Sequence, residues 1–402
     1  MQLGLRRAVV MVAGVALIVS ACSSGATAVP SAAPSSAPAS AAPSVAAPSV
    51  AAPSAAASTA PAASPSAAAG WPYTGTLADG STFTLAPRIA DKVKNHQPIN
   101  YVMSYQGPGV PLFSAQYQAG FTNSLPQAQA IYPMNGVQIG PVSASGIDPA
   151  GQIAQIEALY NTNKIDCIAI EPIETNSFTK EDNKLLAAGI PVFTVGITSN
   201  DNALTNFTQI PMKEGAQAAT IVLQWMKDNG KSLKTFAVSG GDPGSTWGHG
   251  RMQSFYDTIM AAIPDAKFIS APSNALVVPY DTTQAYNTAK AFLTGHPDIQ
   301  FIMNADIGAE QIDRAIHDAG KDGKIFTIGW NVSYGQLDAI NSGTQVAALD
   351  QKWSEQAGFG ALACANLFAQ GQVLPNTQQL LPVDKSNAAA ARADLDKILK
   401  KK

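Results

Sequence analysis

Few side chains of this sequence are spaced for covalent chemistry. The segment SGGDPGSTWGHGR (239–251) resembles a phosphate-binding loop but lacks the Gly-x-x-x-x-Gly-Lys-(Ser/Thr) pattern, so its glycines are better explained as turns before a helix. Glu171 and Glu174 could form a carboxyl pair of the glycosidase kind, although polar capping or ligand binding is the simpler interpretation. The sequence has no Gly-x-Ser-x-Gly or His-Glu-x-x-His motif, and its four histidines lack metal-ligand spacing. We therefore expect no catalytic residue, no cofactor and no metal.

Side chains suited to hydrogen bonding and ring contacts lie instead in short segments after predicted strands. These segments are rich in Tyr, Trp, Asn, Gln and Asp, and they comprise 104–113, 171–175, 196–202, 239–251, 272–281, 304–308, 330–334 and 350–353. Ligands of open α/β sheets bind beyond the carboxyl ends of the strands. We expect these segments to surround one ligand-binding cleft.

The elements that must position these segments alternate regularly. Runs of consecutive apolar residues, typical of strands buried on both faces of a parallel sheet, occur at 99–104, 137–143, 166–172, 191–196, 234–240, 266–272, 299–304, 324–330 and 344–350. Helical segments lie between them: Asp148-Pro149 is a typical helix start, and 213–228 and 283–293 have helical patterns. The alternation predicts an α/β fold with right-handed crossovers.

An internal similarity predicts two lobes. Residues 164–196 and 298–329 each read as a strand, a polar loop, a helix, Ala-Gly and a strand ending in (Val/Ile)-Phe-Thr-(Val/Ile)-Gly. Unrelated βαβ units can converge on this pattern, but two similar α/β lobes are the simpler interpretation. The chain beyond Trp71 is long enough for two domains.

Six motifs follow one another in a specific order between about residue 98 and residue 385. They are DPAGQIAQIEALYNTNKIDCIAIEPIETNSF, LLAAGIPVFTVG, GHGRMQSFYDTI, HPDIQFIMNADIGAEQIDRAIHDAG, KIFTIGWN and AALDQKWSEQAGFGA. Together they resemble the type 1 periplasmic binding proteins, and more narrowly the ribose-type sugar-binding lipoproteins of ABC importers. The resemblance implies two Rossmann-like lobes, each a parallel sheet flanked by helices, joined by a three-stranded hinge. It places an N-terminal lobe at 98–208 with 352–375 and a C-terminal lobe at 209–351 with 376–390.

The resemblance also implies which side chains contact a ligand. Arg251 matches the family's arginine near a helix start, Asp306 its aspartate with Asn304 two residues earlier, and Gln351 its glutamine after the last crossing strand. Planar amide and guanidinium groups can each bond two neighbouring hydroxyls, and aromatic rings can stack on C–H groups. A local role, such as an ion pair of Arg251 or a turn cap by Asn304, is the alternative. The full set expected at the site is Ser104, Tyr105, Phe113, Trp247, Arg251, Tyr280, Asn304, Asp306, Asn331 and Gln351.

Two positions depart from the family pattern. The fourth strand of the family usually ends in Asp, and here it runs into Gly196; the family's Gly-Phe-Asp is Gly329-Trp330-Asn331. Both changes remove a negative acceptor from the expected cleft. We therefore expect a deoxy-sugar, a polyol or a less polar molecule rather than ribose or a common hexose.

The first 70 residues predict export and a spacer. Residues 1–21 combine two arginines with a short apolar run, as in a signal peptide, and VSAC (19–22) resembles a bacterial lipoprotein box that would be lipidated at Cys22. An ordinary signal peptide and an uncleaved anchor are the alternatives. Residues 22–70 form an Ala/Pro/Ser linker with too few large apolar side chains to fold, unless it is a glycosylated stalk. In either case the segment would hold the lobes away from a membrane.

Composition limits the partners and leaves one covalent question open. The formal net charge is −3 and the only lysine run is at 400–402, so nothing favours nucleic acid. Cys167 and Cys364 lie in apolar runs and read as buried small residues, while a disulfide between them stays open. We expect a monomer.

The combined expectation is a non-enzymatic solute-binding lipoprotein at the cell surface or in the periplasm. It would close its lobes on a sugar, deoxy-sugar or polyol and deliver it to an ABC permease for carbohydrate transport. The alternative is a receptor of the same fold that hands a nucleoside, a purine or a furanosyl signal molecule to a sensor or chemotaxis partner. The missing catalytic motifs disfavour a surface-anchored hydrolase, and the export signal disfavours an intracellular repressor.

Overall fold

Two predominantly parallel sheets with flanking helices organise the chain in the computed structural model. The structure describes residues 73–142, 148–172, 174, 176–197, 202–378 and 380–400. The predicted signal peptide, Cys22 and the linker lie outside the described residues. No described helix combines the length and the hydropathy of a membrane span.

The strands and helices have the following bounds. The strands are β1 (Thr74–Thr76), β2 (Thr82–Thr84), β3 (Ile99–Ser104), β4 (Met134–Ile139), β5 (Cys167–Ile170), β6 (Val192–Gly196), β7 (Thr205–Thr208), β8 (Thr235–Gly240), β9 (Lys267–Ser270), β10 (Leu276–Val277), β11 (Phe301–Asn304), β12 (Phe326–Trp330), β13 (Gln345–Asp350) and β14 (Leu381–Val383). The helices are α1 (Pro87–Lys94), α2 (Pro111–Ile131), α3 (Pro149–Asn161), α4 (Thr179–Ala187), α5 (Pro211–Asp228), α6 (Thr246–Ala262), α7 (Thr282–Gly295), α8 (Ala309–Asp318), α9 (Tyr334–Ser342), α10 (Trp353–Gln370) and α11 (Ala388–Lys400).

The first sheet is wholly parallel, with strand order β4-β3-β5-β6-β7. Its central strand β5 is buried along its whole length, as the consecutive apolar residues predicted. The small antiparallel pair β1-β2 and helix α1 also belong to this core, because Phe83, Leu85 and Ile89 pack into it. As the sequence predicted, Asp148 caps α3, where its Oδ1 accepts a hydrogen bond of 2.9 Å from the amide of Gly151.

The second sheet has the order β10-β8-β11-β12-β13-β14, with β9 also pairing with β8. All pairs are parallel except that of β13 with β14. The units β5-α4-β6 and β11-α8-β12, which contain the internal similarity of the sequence, are parallel βαβ units of adjacent strands in their respective sheets. The predicted two-lobed α/β class is therefore confirmed.

Three segments connect the two sheets. The chain passes from β7 to α5, returns from β13 to α10, and passes again from α10 to β14. At this crossing the amide of Thr208 donates to the carbonyl of Thr377 at 3.0 Å. The amide of Thr377 donates in turn to the carbonyl of Asn206 at 2.9 Å. These bonds align the first and third connections side by side.

A disulfide fixes α10 to the first sheet. Cys167 of β5 and Cys364 of α10 are both fully buried, and their Cα atoms lie 6.2 Å apart. The sequence left this pairing open, and the structure contains it. The bond matters for the site because α10 begins at the connection between the two sheets.

Candidate functional site

A cleft lies where the carboxyl ends of strands from both sheets approach each other. Its empty volume is about 590 Å³ including open solvent. The residues that line it are Gln106, Val110, Phe113, Tyr117, Glu171, Gly196, Ile197, Gln209, Trp247, Arg251, Tyr280, Asp306, Ile307, Asn331, Gln351, Trp353 and Gln356. They follow strands or begin helices, as expected for an open α/β sheet.

Seven of the ten side chains expected at the site line this cleft. They are Phe113, Trp247, Arg251, Tyr280, Asp306, Asn331 and Gln351. The structure places Ser104, Tyr105 and Asn304 behind its wall, where all three are buried. Ser104 Oγ accepts a hydrogen bond of 3.0 Å from Gln152 Nε2, and the ring of Tyr105 stacks on that of Tyr117.

Arg251 is the cation of the cleft among the described lining residues, and protein groups fix it in place. Only 3% of the residue is exposed. Its Nε donates to Glu214 Oε2 at 2.8 Å, Nη1 to the carbonyl of Ala305 at 2.9 Å, and Nη2 to Gln209 Oε1 at 2.6 Å. A guanidinium has five N–H groups, so one on each terminal nitrogen remains for a ligand. The ion pair that sequence analysis treated as an alternative thus coexists with a position on the cleft wall.

Two indole rings hold the guanidinium of Arg251. Its central carbon lies 5.3 Å from the ring centroid of Trp247 and 5.2 Å from that of Trp330, both within cation–π range. Trp330 is fully buried, and its Nε1 donates to the same Glu214 oxygen at 3.2 Å. These two rings and three hydrogen bonds set the orientation of the guanidinium before any ligand arrives.

Asp306 is the second charged group on the second-sheet side. Its Oδ2 accepts from the amide of Gly241 at 2.7 Å and its Oδ1 from that of Gly308 at 3.0 Å. Burial raises the pKa of Asp306, while these two amides and the nearby Arg251 act against the rise. Asn304 Oδ1 accepts from the amide of Asp306 at 3.1 Å. Asn304 therefore shapes the loop that presents Asp306.

An amide network supports the opposite wall. Gln351 Oε1 accepts from Trp353 Nε1 at 2.8 Å, and the Gln351 carbonyl accepts from Gln356 Nε2 at 2.7 Å. Tyr117 donates its hydroxyl to Gln356 Oε1 at 2.8 Å. The ring of Phe113 lies 4.3 Å from that of Tyr117 and 5.0 Å from that of Trp353, measured between centroids. These contacts build a wall of aromatic rings. In this described network, the side-chain amide nitrogen of Gln351 is the polar group left for a ligand.

Asn331 completes the polar set. Its φ of +65° lies in the left-handed region, which Asn tolerates better than most residues, and its amide donates to the carbonyl of Leu349 at 2.8 Å. Its side-chain Oδ1 is buried and has no hydrogen-bond partner among the described residues. A buried acceptor without a partner is costly unless a ligand donor reaches it.

Glu171 is not in the predicted site set, although the segment 171–175 that begins with it is expected to border the cleft. Glu171 follows β5, lines the cleft and is only 4% exposed. Its Oε2 accepts from the amide of Gln106 at 3.1 Å. Burial raises the pKa of Glu171 to about 8, with the Gln106 amide acting in the opposite direction.

Gly196 provides the space that the Glu171 side chain occupies. Its φ is +82°, and a Cβ there would lie 3.1 Å from Glu171 Cγ and 3.3 Å from both Gln356 Oε1 and the Tyr117 hydroxyl. A side chain at the end of β6 would therefore compete with Glu171 for the same volume. The chain has no acid at the end of β6, and the acid that follows β5, Glu171, occupies the space beside Gly196.

Replacing Gly196 with Ala is expected to lower the free energy of unfolding by about 1–2 kcal/mol for the left-handed backbone alone, with an added cost for crowding Glu171. Gly230→Ala is the matched control, because Gly230 has a φ of +59° and open space around its Cβ position. Urea unfolding of both variants measures the difference. Equal losses would show that the crowding has no consequence.

One contact joins the two sides of the cleft at its mouth. Glu174, in the segment after β5, accepts at Oε2 from the amide of Thr246 at 3.0 Å and from its hydroxyl at 2.7 Å. Thr246 is the first residue of α6, so the carboxylate also lies at the positive end of the helix. In the described part of the chain, no group of three or more His, Cys, Asp and Glu side chains is arranged to hold a metal ion.

Solved structures of similar fold are sugar- and polyol-binding proteins by their descriptions. A Caulobacter myo-inositol binding protein is 17% identical at a TM-score of 0.58, covering 72% of this chain and 94% of that one. A D-fucose-bound ABC transporter solute-binding protein from Agrobacterium vitis is 20% identical at a TM-score of 0.61, covering 73% and 98%. A Mycobacterium smegmatis protein in complex with β-D-fucofuranose is 16% identical at a TM-score of 0.61, covering 75% and 98%. At these identities the likeness shows the fold.

Sequence comparison adds one curated relative and a family. The ribose import binding protein of Bacillus subtilis (strain 168) is 26% identical over 198 residues, which are 48% of this chain and 59% of the relative. The aligned region thus spans less than two thirds of that protein's length. The family model described as a periplasmic binding protein domain matches residues 109–372, which include most strands of both sheets as well as Arg251 and Glu171. The chain belongs to the periplasmic binding protein domain family.

Proposed function

We propose that this protein captures a small neutral carbohydrate or polyol in the cleft between its two sheets and presents it to the permease of an ABC transporter. The observation that carries the proposal is the presentation of Arg251, which two indole rings, Glu214 and Gln209 fix with two N–H groups left over. A guanidinium so placed can donate to two neighbouring hydroxyls, while the rings of the opposite wall face C–H groups.

The remaining polar atoms of the cleft suit the same ligand. Asn331 supplies an unpaired acceptor, Gln351 an amide donor, and Asp306 a carboxyl held by backbone amides. Carboxyl, amide and guanidinium groups together match hydroxyls, each of which both donates and accepts. The names of the similar structures, with bound myo-inositol and D-fucose, support this ligand class.

The proposal includes a closing motion about the three connecting segments. The lobes would be 98–208 with 352–375 and 209–351 with 376–390. A contact such as that between Glu174 and Thr246 spans the two sides and would favour the closed form. The chemistry proposed is binding alone, with no bond made or broken.

A thermal-shift screen of the purified protein tests the ligand class. The panel holds D-ribose, D-allose, D-fucose, myo-inositol and, as the competing class, adenosine and guanosine. A ligand at one hundred times its dissociation constant stabilises the folded state by about 2.7 kcal/mol, which is a readable rise in melting temperature. A shift with nucleosides and none with sugars or polyols would contradict the proposal.

Members of this family are extracytoplasmic, and we propose that this one is held at the membrane by lipid on Cys22. Support comes from the basic start, the short apolar run and the VSAC sequence of residues 19–22. The linker that follows would keep the cleft at a distance from the membrane surface.

Replacing Cys22 with Ser is expected to move the protein from the membrane fraction to the soluble fraction. The thiol of Cys22 is the proposed point of lipid attachment, so a processed chain with Ser at this position would carry no lipid. Fractionation with mass spectrometry of the N-terminus measures the effect and detects an uncleaved signal segment. Membrane retention of a processed Cys22→Ser chain would contradict the anchor.

A further inference from the structure

Glu171 has an unusual electrostatic setting for a cleft carboxyl. Among the described residues, its carboxyl group accepts one hydrogen bond, from the amide of Gln106 at 3.1 Å. Among the described lining residues the cation is Arg251, and that group is already paired with Glu214 at 2.8 Å. The described cleft therefore offers Glu171 no cation of its own.

The groups packed against Glu171 are mostly apolar or already bonded. Tyr117 uses its hydroxyl proton on Gln356, and burial together with the charge of Glu171 keeps the pKa of Tyr117 well above its usual range. Gln356 donates one of its two amide hydrogens to the Gln351 carbonyl, and its Oε1 accepts from Tyr117. Gly196 contributes no side chain at all. Within the described part of the chain, a carboxylate at this position would be a buried charge with one hydrogen-bond donor.

Burying an ionised carboxyl without a partner costs so much that such groups take up a proton instead. The pKa of about 8 that burial gives Glu171 agrees with this expectation. A protonated carboxyl has one O–H donor and a free acceptor oxygen, the same pair that a sugar hydroxyl offers. The two groups can exchange two hydrogen bonds without any charge entering the cleft.

We infer that Glu171 is a specificity-determining residue that binds a hydroxyl of the carbohydrate as a neutral carboxylic acid, donor and acceptor at once, so that capture is linked to proton uptake. The inference rests on the proposed function. It adds that the protonated form of Glu171 binds the ligand and that binding therefore depends on pH. Glu171, which follows β5, occupies space that a side chain at position 196 would need.

Other titratable groups face the cleft and must be separated from Glu171. Asp306 and Tyr280 lie on the second-sheet side, and burial raises the pKa of both. Arg251, paired with Glu214, lines the cleft on the same side, and Tyr117 lies on α2 beside Glu171. A variant that changes Glu171 alone distinguishes its contribution from theirs.

The test is isothermal titration of the purified protein with D-ribose, D-allose, D-fucose and myo-inositol at pH 7 and pH 9. If only protonated Glu171 binds, the dissociation constant should be about tenfold larger at pH 9 than at pH 7 for a group that titrates near pH 8. In Glu171→Gln this dependence should vanish, because the amide keeps the shape and cannot ionise. Glu157→Gln is the matched control, since Glu157 lies on α3 in an exposed pair with Lys184; its profile should follow that of the unchanged protein.

A second measurement needs no variant. At pH 8, titrations in buffers of different ionisation enthalpy should show an uptake of about half a proton per bound sugar. Three results would overturn the inference while leaving carbohydrate binding intact. They are a dissociation constant of the unchanged protein that is the same at pH 7 and pH 9, a release of protons on binding, and a loss of affinity between pH 7 and pH 9 that is as large in Glu171→Gln as in the unchanged protein. Failure of all four ligands to bind at pH 7 would instead contradict the proposed function, and the inference with it.

Discussion

Replacing Arg251 with Ala is expected to abolish carbohydrate binding and to lower the free energy of unfolding by about 3–5 kcal/mol. The loss of binding follows from the two ligand-facing N–H groups. The loss of stability follows from Glu214, which is almost fully buried and would lose the partner of its carboxyl group. Chemical unfolding and sugar titration of the same preparation measure both effects.

A double variant separates the two roles of Arg251. In Arg251→Met with Glu214→Gln, no buried charge is left, and the Gln carbonyl can still accept from Trp330 Nε1. We expect this protein to recover most of the lost stability and none of the binding. Binding that returns in the double variant would remove Arg251 from the ligand site.

Loss of the disulfide is the second large effect. Replacing Cys167 and Cys364 with Ala is expected to lower the free energy of unfolding by about 2–5 kcal/mol, because the bond closes a loop between residues 197 positions apart. Sugar affinity should fall as well, since α10 carries Trp353 and Gln356 to the cleft.

The single variants provide the internal control for the disulfide. Either replacement alone breaks the same bond, so each should cost about as much as both together rather than half. Denaturant unfolding of the three proteins, with mass spectrometry of the unchanged chain to confirm the bond, gives the comparison. Costs that add from the two single variants would contradict a role for the bond itself.

The strand framework could be predicted from sequence because parallel strands are buried on both faces and leave continuous apolar runs. The run IDCIAI predicted β5, and the observed strand begins at Cys167. The observed strand bounds differ from the predicted ones where Gly and Pro interrupt an apolar run. The strand expected at 137–143 is β4, Met134–Ile139, which ends before Gly140-Pro141, where Pro has no N–H to donate to a neighbouring strand.

Helix α2 could not be predicted from the periodicity of its apolar residues. It spans Pro111–Ile131, contains Pro126, and its apolar residues do not form one clear stripe. It packs closely on α10 instead, where a Cβ at Gly120 would lie 2.1 Å from the carbonyl oxygen of Ser354. Contact between two backbones depends on tertiary packing, which local periodicity does not report.

The candidate site was predictable in part, and for a definite reason. Segments at the carboxyl ends of strands must meet at one edge, so the positions of Arg251 and Asp306 followed from topology and resemblance. The role of Glu171 did not follow, because it depends on the space beside Gly196, 25 positions away on the next strand. Nor could the spacing of Cys167 and Cys364 show that a strand and a helix bring them together.

Electron density for a bound sugar would test the central claim most directly. The measurement is a crystal structure of the purified protein with the panel member that gives the largest thermal shift. We predict one molecule in the cleft, with hydroxyl oxygens within hydrogen-bonding distance of both terminal nitrogens of Arg251 and of Glu171. A ligand bound elsewhere on the chain, or in the cleft without contact to Arg251, would contradict the account.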